Sequence, residues 1–318
     1  MKELTLNETA QFLLQNDNYV ILTHRRPDGD TIGCAAALCG GLRKLGKTAW
    51  ILKNLQFTPK YQPYLENMVT EDVPESACIV TVDIASENLF PRTAEDYVNR
   101  AELLIDHHGT NSGFATYGYV DANAAACGEI ILSLLQRMEV SIDKRIAEAL
   151  YVAISTDTGC FRFSNVTADT LRAAACCKDC GADIFAINQL MFMTKRIARL
   201  RLDAYLTETT EFLADGLVAI SMLPNVVRRE LGITDDDIDD ISGFGREIEG
   251  VQIAVMLRQE GEGGKISVRT SPNYDASAIC ACLGGGGHKA AAGATVEGSI
   301  DEAKKAVIRV LSQMGVKL

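Results

Sequence analysis

Short, continuously apolar segments alternate with helix-patterned ones through the first half of this chain, and this alternation constrains the fold more than any other feature. Residues 7–16 pattern as an amphipathic helix capped by Asn7, followed by a run of β-formers from Tyr19 to Thr23. Thr31 to Leu45 is an alanine-rich helix stopped by Gly46, and Thr48 to Leu52 is the next strand. Cys78 to Val82 and Glu102 to Ile105 repeat the strand signal. Strands with one wet face alternate apolar and polar residues, whereas parallel strands covered on both faces stay apolar throughout. These are of the second kind. His24, Asp83 and Asp106 stand at their carboxyl ends, and open α/β sheets bind ligands just outside those ends. Three residues distant in sequence are thus expected in one crevice.

Beyond residue 120 the pattern is helical, over roughly 125–139, 143–155, 167–180 and 183–207. From residue 211 strands return: Phe212 to Leu223 with a turn at Asp215-Gly216, Val251 to Arg258, and Lys265 to Thr270, before a closing helix near 300–314. The expectation is an α/β protein. An N-terminal parallel-sheet domain with flanking helices (1–185) leads through a helical linker (186–208) to a smaller C-terminal α+β domain (209–318), with a cleft between them. A length of 318 residues, 47% of them hydrophobic, is enough for two cores of roughly 150 residues each.

A formal net charge of −11 argues against tight binding of long DNA or RNA, whose affinity comes from neutralising many phosphates. Small anionic ligands fit only if metal ions supply positive charge. The N-terminus lacks a basic stretch followed by an apolar one, and no window approaches about 18 uninterrupted apolar residues, so a soluble, cytoplasmic protein without a membrane partner is expected. Ten cysteines without an export signal do not imply disulfides, and Cys177 and Cys180 form a lone C-x-x-C pair with no second pair to complete a zinc site. Asp235 to Asp240 fails as a calcium loop, since Asp240 stands at the glycine position and Arg246 at the glutamate position. It reads as a capped helix start with a solvated acidic face.

Only four histidines occur, and all sit in distinctive motifs. His24 leads into Pro27-Asp28-Gly29-Asp30, a tight turn between strand and helix that lets one imidazole and two carboxylates share a space. Taken alone, that turn needs no ligand, with Asp30 capping the next helix. Asp106-His107-His108 follows a buried strand, where adjacent imidazoles are costly without partners. Asp157 lies in Thr156-Asp157-Thr158-Gly159 at a helix end. Gly284 to Gly287 run into His288, suggesting backbone N–H groups offered to an anion, and Arg269 near a strand end is a candidate phosphate clamp. There is no nucleophile elbow and no P-loop.

Together these motifs resemble the DHH phosphoesterase family, named for the stretch matched here by Asp106-His107-His108, and the Gly284 to His288 region resembles the DHH-associated C-terminal domain. The compact two-domain length is similar to the oligoribonuclease and pAp-phosphatase branch. The resemblance implies two divalent cations, manganese with magnesium or cobalt as alternatives. One would be held by His24, Asp28 and Asp83, the other by Asp30, Asp83, His107 and Asp157. It further implies that Asp106 orients a histidine, that His108 faces the substrate or attacking water, and that Arg269, Gly285, Gly286, Gly287 and His288 bind substrate. Four carboxylates would then balance two dications, and oxygen and imidazole ligands suit manganese or magnesium.

The function implied is hydrolysis of short oligoribonucleotides to mononucleotides, with dephosphorylation of 3′-phosphoadenosine 5′-phosphate beside it. A stand-alone phosphodiesterase for c-di-AMP or pApA shares the motifs, and a non-catalytic nucleotide-binding protein is the alternative of another class. A homodimer is left open. At Cys34 the resemblance leads one to expect serine or a similar small residue.

Overall fold

The computed structural model describes residues 1–318 except Asp239, Glu262 and Leu318. It divides into two compact units, Met1–Thr194 and Lys195–Leu318. The division falls inside the stretch patterned as a linker, which is not one helix but several short ones.

In the first unit the strands are β1 (Lys2–Glu3), β2 (Tyr19–Leu22), β3 (Ala49–Leu52), β4 (Val69–Thr70), β5 (Cys78–Val82), β6 (Ala101–Asp106) and β7 (Tyr117–Val120). They form one sheet in the order β1-β7-β6-β5-β2-β3-β4, with every pairing parallel. The chain works outward from β2 through β3 to β4 on one side and from β5 through β6 to β7 on the other. The switch point therefore lies between β2 and β5, where Leu22 pairs with Thr81. All residues of β2 and β5 are buried, as their unbroken apolar sequences require.

Helices α1 (Leu6–Gln15), α2 (Gly29–Lys44), α3 (Gln62–Leu65), α4 (Cys127–Arg137), α5 (Lys144–Asp157), α6 (Ala168–Asp179) and α7 (Ile184–Asn188) complete the unit. α1 is capped by Thr5, not Asn7: Thr5 and Glu8 exchange bonds across a capping box. α2 begins earlier than its apolar pattern suggested, because Asp28 is the cap, accepting from the amides of Asp30 and Thr31. Asp30 is thereby released from the capping role that the turn motif alone would give it.

α2 and α5 run antiparallel in close contact. A Cβ on Gly29 would lie 2.4 Å from Thr156, one on Gly33 2.3 Å from the Ala149 carbonyl, and one on Gly40 3.2 Å from Ile146. Only the missing side chains at Gly29 and Gly33 allow this approach. It brings the start of α2, with Asp28 and Asp30, beside the end of α5, with Asp157.

The second unit holds α8 (Ile197–Thr209), β8 (Glu211–Leu213), β9 (Val218–Leu223), α9 (Asn225–Glu230), β10 (Ile253–Glu260), β11 (Gly263–Thr270), α10 (Ala276–Ala281), β12 (Gly286–His288), β13 (Ala291–Val296) and α11 (Ile300–Gln313). Its sheet runs β12-β13-β11-β10-β9-β8, antiparallel except for β9 with β10. Ile253, Val255, Ile266 and Val268 pack with Val307 and Leu311 of α11 in its core.

The acidic stretch near residue 237 departs from a solvated face. Asp237 is 4% exposed and bonds Arg196 and Thr234, while Asp240 pairs with the buried Arg199; Asp239 lies outside the described residues. All ten cysteines are free thiols. No helix among the described residues is long and apolar enough to cross a membrane.

Candidate metal centre

Each candidate side chain in the first unit stands at an element end, where the backbone can aim it. His24 follows β2, and Asp83 follows β5 on the other side of the switch point. Asp83 adopts a left-handed backbone, φ 57°, and its N–H donates to the Ile105 carbonyl at 2.9 Å. Such a conformation costs a non-glycine residue of order 1–3 kcal/mol and persists where the surroundings enforce it. Asp106 is the last residue of β6, and His107 and His108 leave the sheet beside Asp83.

The structure brings His24, Asp28, Asp30, Asp83, Asp106, His107, His108 and Asp157 together. His24 Nε2 lies 3.5 Å from Asp28 Oδ1 and 3.7 Å from Asp83 Oδ2. His107 Nε2 lies 3.5 Å from Asp83 Oδ1, 3.4 Å from Asp157 Oδ2 and 3.8 Å from Asp30 Oδ2. The two Asp83 oxygens thus face different histidines. Among the described residues, three groups of donor atoms come close enough together to hold a cation: His24, Asp28 and Asp83; Asp30, His107 and Asp157; and Asp83, His107 and His108.

Hydrogen bonds settle which imidazole nitrogen faces inward. Nδ1 of His24 lies 2.8 Å from the Arg25 carbonyl and Nδ1 of His107 lies 3.1 Å from the Ala124 carbonyl. A carbonyl can only accept, so each Nδ1 carries a proton and Nε2 is the nitrogen turned to the carboxylates, where a cation can displace any proton it holds. His108 is turned the other way, its Nδ1 held 2.8 Å from Asp106 Oδ1.

Electrostatically the cluster is short of positive charge. Burial, with Asp30 and Asp28 nearby, pushes the Asp83 carboxyl well above the usual carboxylate range. Burial likewise raises Asp30 to about 6, although His107 pulls it down, and raises Asp157 to about 7 with the repulsion of Asp30 added. Burial opposes ionisation of Asp28 too, but the His24 charge and the backbone donors of α2 overcome it and hold Asp28 at about 2. Burial also works against charging His24 and His107, yet Asp28 beside the first and Asp30 and Asp157 beside the second leave both raised.

Asp83 is 3% exposed, and its Oδ1 is buried without a hydrogen-bond partner. A bare buried carboxylate oxygen is costly unless a cation faces it. The mutually repelling carboxylates, the inward-facing Nε2 atoms and this orphaned oxygen all fit divalent cations bound by hard and borderline donors.

In the second unit, Gly284 turns with φ 74°, and Gly285 packs so closely that a Cβ would lie 2.1 Å from the Gly293 carbonyl. The glycine run is not a loop throughout. Gly286, Gly287 and His288 form the exposed edge strand β12. Arg269 and His288 both pair in register with Ala291, so the three side chains leave one face of the sheet, opposite the face of Ile266 and Val268. Arg269 is half-buried and donates to the Val268 carbonyl at 3.1 Å.

Several supporting residues carried no signal in the sequence. Asn111 donates to Asp106 Oδ2 at 2.5 Å and to the Ile84 carbonyl at 3.0 Å, which fixes the carboxylate that orients His108. Asn165 donates to the Asp157 carbonyl at 3.2 Å and the Ala125 carbonyl at 3.0 Å. Asp30 receives the amides of Cys127 and Gly128 at the start of α4. Asn111 lies five residues beyond Asp106 with nothing in the sequence to mark it, and nothing local marks the others.

Residues 18–154 match the model of the DHH family, N-terminal domain, and residues 217–313 match that of the DHHA1 domain. A protein of Thermus thermophilus named bifunctional oligoribonuclease and PAP phosphatase NrnA is 34% identical over 299 residues, covering 92% of this chain and 89% of its own. A protein of the same name from Mycoplasma genitalium is 24% identical, covering 93% of this chain and 94% of its own. Among solved structures, an exopolyphosphatase-related protein from Bacteroides fragilis shares the fold, with a TM-score of 0.83 at 22% identity over 97% of this chain and 96% of that one.

Proposed function

The chain belongs to the DHH family, and from that premise we propose that it is a metal-dependent phosphoesterase that hydrolyses short oligoribonucleotides to mononucleotides and dephosphorylates 3′-phosphoadenosine 5′-phosphate to AMP. One observation carries the reading: the two oxygens of the buried Asp83 face Nε2 of His24 and Nε2 of His107 respectively, each with further aspartates at hand. The substrates are those in the names of the relatives that span nearly the whole chain.

In this reading His24, Asp28 and Asp83 hold one divalent cation, and Asp30, Asp83, His107 and Asp157 hold a second. Manganese suits the donors best, with magnesium and cobalt as alternatives. When bound, such cations supply charge neutralisation and Lewis acidity for an in-line phosphoester displacement. The chain's own groups do the rest. The carbonyls of Arg25 and Ala124 keep His24 and His107 in the tautomer that offers Nε2. Asp106, fixed by Asn111, holds His108 through Nδ1, so that proton exchange with the substrate takes place at Nε2.

Arg269, Gly285, Gly286, Gly287 and His288 bind the phosphate or nucleotide. Arg269 and His288 share a face, and the outward N–H groups of an edge strand suit an anion. The net charge of −11 agrees with short substrates, because a nuclease for long strands uses a basic channel.

The test is incubation of purified protein with manganese and pApA, alongside pAp, c-di-AMP, pyrophosphate and a long RNA, with AMP followed by chromatography. Rapid AMP release from both pApA and pAp is expected. Preferential hydrolysis of c-di-AMP or pyrophosphate would replace the substrate assignment, and no turnover of any of the five would return the chain to nucleotide binding without catalysis.

A further inference from the structure

We propose that the buried thiol of Cys34, acting with the backbone amides of Cys127 and Gly128, is the positioning device for Asp30, locking its carboxylate toward the group it forms with His107 and Asp157; the inference rests on the two-cation reading above. Cys34, on α2 one turn beyond Asp30, donates its S–H to Asp30 Oδ1 at 3.1 Å. Gly128 N–H donates to the same oxygen at 3.0 Å, and Cys127 N–H donates to Oδ2 at 2.7 Å. Three donors on two oxygens leave the carboxylate no freedom to rotate. Its remaining lone pairs are therefore presented in one direction.

Cys127 in turn donates its S–H to the Ile105 carbonyl at 3.5 Å. Ile105 immediately precedes Asp106 and His107. The two cysteines thus tie together α2, the start of α4 and the end of β6, three elements that carry or aim ligands. Both cysteines are wholly buried. Asp28 makes a useful contrast: its side chain is 44% exposed and faces His24 and the amides of its own helix start, so it can adjust to a cation. Asp30, 1% exposed, cannot adjust, and must be aimed in advance.

A thiol is a weak donor, and a hydroxyl at the same position is a stronger one. Serine at position 34 should therefore keep the bond, while alanine, or valine that refills the space, should lose it. The experiment is titration of the metal-free protein with Mn2+, counting bound ions and their affinities by calorimetry and electron paramagnetic resonance. The unsubstituted protein is expected to bind two. Cys34→Ala and Cys34→Val are each expected to weaken one of the two by about 10-fold or more, the usual consequence of removing a group that orients a ligand, and Cys34→Ser to restore it.

Cys39→Ala is the control for packing. Cys39 is equally buried on the same helix but donates to the Ala49 carbonyl, so its loss should lower thermal stability and leave both affinities unchanged. Two intact affinities in Cys34→Val, or equal weakening in Cys39→Ala, would overturn the proposal; should the alanine variant not fold, the valine and serine pair decides. Fewer than two ions in the unsubstituted protein would instead overturn the two-cation reading, before any variant is made.

Discussion

The two units handle charged chemistry in opposite ways. In the first, Asp30, Asp83 and Asp106 are almost wholly buried, and each histidine is pinned by a carbonyl or a carboxylate. In the second, Gly286, Gly287 and His288 lie on an exposed edge strand, with only Arg269 half-sheltered on the same face. Buried charges must be arranged before a cation arrives, because they cannot be reoriented cheaply afterward. Groups that meet a substrate can remain wet until it binds. The difference predicts which substitutions remove metal and which only weaken substrate.

The largest effect is expected at the residue shared by both cation groups. Asp83→Ala should lower manganese-dependent turnover by on the order of 10³-fold or more, together with Mn2+ uptake. Near-normal turnover in that variant would break the contrast outright. His288→Ala should raise KM for nucleotide by roughly 10-fold, the worth of one charge-assisted hydrogen bond, while Mn2+ binding stays as it was. Parallel loss of metal would erase the division of labour.

A third test uses pH. Asp30 and Asp157 carry folded-state pKa values of about 6 and about 7, above the ordinary 3.8. A carboxyl raised in this way contributes stability that is complete below its unfolded value and lost as pH rises through its folded one. The metal-free protein should therefore lose stability as pH rises from about 4 to about 7. Mn2+, which competes with those protons, should raise Tm more at the upper end of that range than at the lower. Equal shifts at both ends would mean the two carboxyls do not face the cation.

The smallest effect lies away from both sites. Ile266→Val, in the core of the second unit, should cost about 1 kcal/mol in thermal or urea unfolding, with Mn2+ affinity unaffected. A drop in that affinity would show that the units are not energetically separate.

Much of the first unit was legible because β2, β3, β5 and β6 are largely apolar runs, the pattern of parallel strands covered on both faces. β1, β4 and β7 were missed: the first two are two-residue strands, and Tyr117–Val120 contains a glycine and lies mostly half-buried near the sheet edge. The stretch 183–207 was overread as continuous: its residues favour helix, but the chain leaves α7 by a π turn and breaks before α8. In the second unit β12 and β13 escaped notice because glycine and alanine carry almost no strand signal, and pairing with β11 makes them strands.

By itself the sequence determined the parallel α/β plan, the sparse histidines beside aspartates, and a net charge of −11. Periodicity and residue type are local, and local signals survive in a string of letters. Tertiary structure alone decided that Asp28 caps α2 while Asp30 is held by α4, that Asp83 turns one oxygen to each of two histidines, and that Cys34 bonds Asp30 from one turn along the helix. Those choices depend on which helices approach across a sheet, and the close approach of α2 and α5 is set by packing between residues far apart in the chain.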